Sequence, residues 1–197
     1  MDFLLGMTGR DFTLLCADTN AARSIMLYTQ SQDKIRTLDS HKMLAVGGDS
    51  ADCIQEPDYF TKNMQLYALK NGVPLTTKAA ASYIRNEKAV SLRKGMTQVD
   101  LLLAGHDAVG GPALYFMDYL ASMQKVDYAA HGYGGFFTNS LLDTHWKKDM
   151  SLEQALDVLE LCIAEIQKRF MSAMPSFTGK VVDANGVRVV ERAKMAA

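Results

Sequence analysis

The stretch Val99-Asp100-Leu101-Leu102-Leu103-Ala104-Gly105 constrains the fold more than any other part of this chain. It is short and almost wholly apolar, which reads as a strand buried on both faces. Such a strand needs cover on each side, and the order of the other elements supplies it. Residues 3–8 and 12–17 read as two apolar strands joined at Gly9-Arg10-Asp11, and residues 24–28 and 43–47 as two more. After Gly47-Gly48 a helical stretch starts near Asp49 and stops at Asn71-Gly72, a good C-terminal signal. Pro57 lies inside that stretch, where a missing backbone donor costs about 3 kcal/mol in a regular helix. The pattern therefore predicts either a kink at Pro57 or a regular helix that begins there.

A second helix is predicted from the Thr76 cap to Gly95. Beyond the apolar strand, Gly110-Gly111-Pro112 turns the chain into a strand over 113–118. Two more strand-like pieces lead to Gly132-Tyr133-Gly134-Gly135, and another helix ends near Trp146. The clearest helix covers residues 152–170. Leu152, Leu156, Leu159, Ile163, Ile166 and Phe170 alternate steps of four and three and share one face. Ser151 with Gln154 forms a capping-box signature at its start, worth about 1 kcal/mol. Residues 180–183 and 187–190 then flank Ala184-Asn185-Gly186, and Asn-Gly is a strong hairpin signal. Helices in pairs between antiparallel hairpins predict an α+β fold, with two stacked antiparallel sheets and helix layers outside.

A length of 197 residues fits one domain, 1–197, that hides roughly 70% of its unfolded surface. A formal charge of -1 without runs of like charge leaves no electrostatic footprint for nucleic acid or an anionic membrane. No apolar run approaches the roughly 20 residues that span a bilayer, and no basic segment followed by an apolar one opens the chain. Cys16, Cys53 and Cys162 are far apart and lack CxxC spacing, so they read as reduced core thiols of a cytosolic or nuclear protein. His41, His106 and His145 have no metal-ligand spacing, and His131 beside Gly132 reads as a turn or interface histidine. Gly132-Tyr133-Gly134-Gly135 has the wrong spacing for a phosphate loop and reads as a strand-to-helix turn. The 12 Met residues fall mostly at apolar positions, as core or subunit-contact filler.

Several segments, taken in order, resemble the proteasome beta-subunit family. The opening hairpin is followed by Asp18 and by Asp33-Lys34-Ile35. Leu102-Leu103-Ala104-Gly105-His106-Asp107 with Gly111-Pro112-Ala113-Leu114-Tyr115 and Asp118 is similar to the family's central hairpin. Gln65-Leu66-Tyr67 before Asn71-Gly72 resembles the end of its first long helix. Ala129-Ala130-His131-Gly132-Tyr133-Gly134, Leu141-Leu142-Asp143 and the Met1-Asp2 start resemble most the non-catalytic members at the fourth position of the beta ring. The resemblance covers essentially the whole chain. It implies the four-layer αββα sandwich of N-terminal nucleophile hydrolases.

In active members of that family an N-terminal threonine attacks, and its own amine takes the proton. A Lys and an Asp assist it, and a Ser-Asp-Ser group supports the amine. Carried over residue by residue, the nucleophile falls on Asp2, the Asp on Asp18 and the Lys on Lys34. The supporting Ser, Asp and Ser fall on Tyr133, Phe170 and Ala173. Only the Asp and the Lys survive. No Gly-Thr pair offers a bond for autocleavage, and Thr8 lies too close to Asp18 to serve as nucleophile. Losing a nucleophile alone costs on the order of a million-fold.

The resemblance thus implies a chain with no catalytic residue, no cofactor and no metal, in which Asp18 and Lys34 remain as a structural ion pair. It implies a structural subunit of the 20S core in cytoplasm and nucleus, serving ubiquitin-dependent degradation. Its partners would be other beta subunits in a seven-membered ring, the alpha ring, the opposing beta ring and assembly chaperones. The helix with Leu141, Leu142 and Trp146 is the candidate ring-to-ring contact, with Trp146 serving assembly more than folding. The tail from Glu191 to Ala197 is expected to be mobile or laid on a neighbour. Two other readings stay open: a divergent N-terminal nucleophile hydrolase using another residue, and an unrelated α/β binding module.

Overall fold

The computed structural model describes residues 2–23, 26–170 and 174–190. Ser24, Ile25, Ala173 and the tail after Val190 lie outside the described residues. The strand expected over 24–28 is seen from Met26 on.

The chain opens with β1 (Phe3–Thr8) and β2 (Phe12–Asp18), an antiparallel pair closed by Gly9 N–H donating to Phe12 O at 2.9 Å. A short hairpin, β3 (Ala21–Arg23) and β4 (Met26–Thr29), pairs only with itself. β5 (Ile35–Asp39) and β6 (Lys42–Gly48) lead into α1 (Asp52–Asn71) and α2 (Thr77–Ser91). Then come β7 (Val99–Asp107), β8 (Gly111–Met117), β9 (Met123–Val126), β10 (Tyr128–Gly132), α3 (Gly135–His145) and α4 (Leu152–Arg169). β11 (Phe177–Asp183) and β12 (Gly186–Val190) close the order. One five-stranded sheet runs β10-β1-β2-β11-β12 and the other β5-β6-β7-β8-β9, antiparallel throughout.

β7 is central in its sheet, and its alternate residues serve different cores. Val99, Leu101 and Leu103 pack with Phe60, Met64, Ala80 and Ile84 of α1 and α2. Leu102 and Ala104 face the other sheet and meet Leu4, Leu15, Ala17 and Val182. The same period-two logic splits β1: Phe3, Leu5 and Met7 pack on Leu159, Ile163 and Ile166 of α4, while Leu4 joins the inter-sheet core. Each sheet is therefore apolar on both faces, which is why Val99–Asp107 shows no polar alternation.

Helix ends follow local chemistry. Thr76 Oγ1 accepts from Ala79 N, Gly72 caps α1 with φ 71°, and Ser151 and Gln154 complete both bonds of the capping box. α2 stops at Ser91, short of Gly95. α1 already starts at Asp52 and runs through a buried Pro57, so the regular helix does not begin at the proline. Trp146 also has partners within its own chain. Its Nε1–H donates to Thr8 O at 2.9 Å, its ring lies 5.4 Å from that of Tyr128, and it packs against the core under α4. Trp146 therefore holds the fold itself.

Candidate functional site

Asp2, Asp18 and Lys34 come together at one end of the two sheets. Asp18 ends β2 and is 0% exposed, and Lys34, just before β5, is 4% exposed. Lys34 Nζ donates to both oxygens of Asp18 at 2.8 Å and to Asp2 Oδ1 at 2.6 Å. Asp18 also accepts from Phe3 N at 2.8 Å and Asn20 N at 3.1 Å. Burial pushes the Asp18 carboxyl up, against the pull of the Lys34 ammonium and the Phe3 amide. Asp2 Oδ2 accepts from Gly48 N at 3.0 Å. Both oxygens of Asp2 are thus held, one by an ammonium and one by a backbone amide.

Two glycines make room for this. Gly132 has φ +79°, and a Cβ there would stand 1.8 Å from the Asp2 carbonyl oxygen. Gly48 has φ +144°, and a Cβ there would stand 2.0 Å from Gln98 O. Only glycine suits either place. A second ion pair flanks the first: Lys180 donates to Asp33 Oδ2 at 2.6 Å and to Ile35 O at 2.5 Å. Two cavities border Asp2, one of about 20 Å3 with Lys34, Arg36 and Cys53, the other of about 120 Å3 with Leu4, His131 and Tyr133. The smaller has room for about one water.

At the positions onto which the first supporting Ser and the supporting Asp were carried, the structure has rings. Tyr133 and Phe170 stack with centroids 6.4 Å apart, and Phe137 meets Phe170 edge-on at 6.3 Å. The two carried-over positions are neighbours in space, and each holds an aromatic ring. The three thiols are buried, and burial pushes Cys53 and Cys162 up to about 12 and raises Cys16 as well, the setting of structural thiols.

Comparison with known proteins bears on this geometry. The family described as "Proteasome subunit" matches residues 3–182. Proteasome subunit beta type-2-B of Arabidopsis thaliana is 44% identical, over 95% of this chain and 94% of that protein. The chain belongs to the proteasome beta-subunit family. Probable proteasome subunit beta type-4 of Meyerozyma guilliermondii is 41% identical over 97% of the chain and 100% of that protein. Proteasome subunit beta type-4 of Saccharomyces cerevisiae is 37% identical over 97% and 98%. The fold of this proteasome beta-family chain is accordingly of the N-terminal nucleophile hydrolase class, with antiparallel sheets and helices.

His131 has a different place from the one its sequence context implied. It is a core histidine, 7% exposed in β10, stacked on Phe116 at 4.1 Å, with Nε2–H donating to Leu101 O at 3.2 Å. Burial holds the imidazole below its ordinary value, against the pull of Asp100, whose Oδ2 lies 3.8 Å from Nδ1. A folded value below the unfolded one, about 6.5, means that the unfolded chain binds the proton first. The stability His131 contributes is fully present above pH ~6.5 and is lost as pH falls from there through the lower folded value. Urea midpoints between pH 7.5 and 5.5 (roughly one unit either side of the unfolded value) are expected to fall more steeply for the natural chain than for His131→Gln. Equal slopes would remove His131 from the acid response.

Proposed function

We propose that this chain is a non-catalytic structural subunit of the 20S proteasome core. It forms one domain, 1–197, with a four-layer αββα sandwich, and takes a place in a seven-membered beta ring. The ring encloses the chamber used in ATP- and ubiquitin-dependent degradation, in cytoplasm and nucleus. Its partners are neighbouring beta subunits, the alpha ring, the opposing beta ring and assembly chaperones. Heterologous contacts that close into a ring suit such a chain, because each face meets a different partner.

The observation that carries the inactive reading is the state of Asp2. Peptide hydrolysis needs a nucleophile, a base for its proton and free donors for the oxyanion. Asp2 brings no hydroxyl, and its carboxylate already occupies Lys34 Nζ and Gly48 N–H. The tagged chain, purified gently from its own cells, is expected by native mass spectrometry in a particle of several hundred kilodaltons with related chains. Treating that particle with a threonine-directed electrophile should leave this chain without an adduct. A monomer defeats the subunit reading, and an adduct on this chain defeats the inactive one.

A further inference from the structure

The Asp2 carboxylate sits as a bound ligand would. It comes from the leading end of β1 in one sheet, and its donors belong to the other: Lys34 Nζ at 2.6 Å, just before β5, and Gly48 N–H at 3.0 Å, at the end of β6. We propose that Lys34 and Gly48 form a receptor for a monocarboxylate, that the Asp2 side chain is its built-in occupant, and that removing this side chain opens the receptor to a free carboxylate. This rests on the reading of Asp2 as the residue at the nucleophile position.

The donor set matches the ligand: an ammonium and a backbone amide, one to each oxygen, give charge-assisted bonds in two directions. The receptor also outlasts its occupant. Without the Asp2 carboxylate, Lys34 keeps both oxygens of Asp18 at 2.8 Å, and Phe3 N keeps its own bond to Asp18. The start of β1 therefore stays in place, and one ammonium hydrogen and the Gly48 amide are left without an acceptor. The amide stays aimed, because Gly48 is fixed at φ +144° and Asp49 N donates to Gln98 O at 2.9 Å just beyond it. Space is at hand as well. Asp2 and Gly48 line both neighbouring cavities, about 20 and 120 Å3, so the volume of the lost side chain adds to open room on either side. The same two donors are what a peptide carbonyl would need on becoming an oxyanion, so Asp2 withholds them from any substrate.

The test is the thermal midpoint of full-length Asp2→Gly chain, titrated near neutral pH with sodium acetate, with acetamide, and with sodium chloride at matched ionic strength. Acetate is expected to raise the midpoint saturably, while acetamide and chloride do not, and the natural chain should show no such rise. If the variant is not recovered folded, refolding yield becomes the readout, and acetate alone should restore it. Equal responses to acetate and chloride, or an equal rise in the natural chain, overturn the proposal. Peptide cleavage by the natural chain's own residues would instead defeat the functional reading and leave the acetate titration standing.

Discussion

Lys34→Ala is expected to cost the folded chain about 3–5 kcal/mol, the usual penalty for leaving a buried charge without its partner. Lys34 is the single ammonium shared by Asp2 and Asp18 among the described residues. Without it, Asp18 keeps, among the described residues, the Phe3 and Asn20 amides, with the Asp2 carboxylate as a like charge nearby. Against a typical total stability of about 5–15 kcal/mol this is a large fraction. The loss should also depend on pH in a definite sense. Burial already raises the Asp18 carboxyl, and losing Lys34 removes the largest force that lowers it. A carboxyl raised above its unfolded value, about 3.9, favours the folded state when protonated. The variant should therefore regain stability as pH falls toward ~4, more steeply than the natural chain. Urea unfolding of both chains at pH near 7 and near 5 checks this. A variant within about 1 kcal/mol of the natural chain at neutral pH would make the Asp2–Lys34–Asp18 group a surface ornament.

Most of the scaffold was legible because it is built from strong local signals. The capping box at Ser151, the Gly72 stop, the Asn185-Gly186 turn and the apolar run in β7 all fell where the pattern put them. β5 escaped notice because a register shift between Thr37 and Asp39 spaces its buried Ile35 and Leu38 three apart, which breaks the period of two. β3 escaped because three residues paired only with a neighbouring strand carry no face pattern. In the site, Asp2, Asp18 and Lys34 were legible through family resemblance, and Tyr133 and Phe170 fell together as that resemblance required. Gly48 was read only as a turn, since sequence does not say where a backbone amide points. The bond from Lys180 to Asp33 joins residues 147 positions apart, and no local signal connects them. His131 was misjudged because Gly132 beside it suggested a turn. The pairing of His131 with Leu4 draws it instead into the sheet, with its ring against Phe116.

Trp146→Ala is expected to destabilise the fold by about 3 kcal/mol, at the lower end for a truncated core tryptophan. The half-buried ring explains the lower end. It packs against Tyr128 and the cluster under α4, but one side faces the shallow cleft formed by Arg10, Lys125 and Lys148. Its loss also leaves Thr8 O without the indole N–H, at the point where β1 turns toward β2. Trp146→Phe separates the two effects, since it keeps most of the contact and loses only the hydrogen bond, worth about 1 kcal/mol. The urea midpoint should therefore fall in the order natural chain, Trp146→Phe, Trp146→Ala. An assembly role predicts the opposite pattern, with unchanged midpoints and a lower yield of full particles. That result would return Trp146 to the surface. The bond to Thr8 gives the indole N–H a partner inside its own chain, whatever meets the open side of the ring.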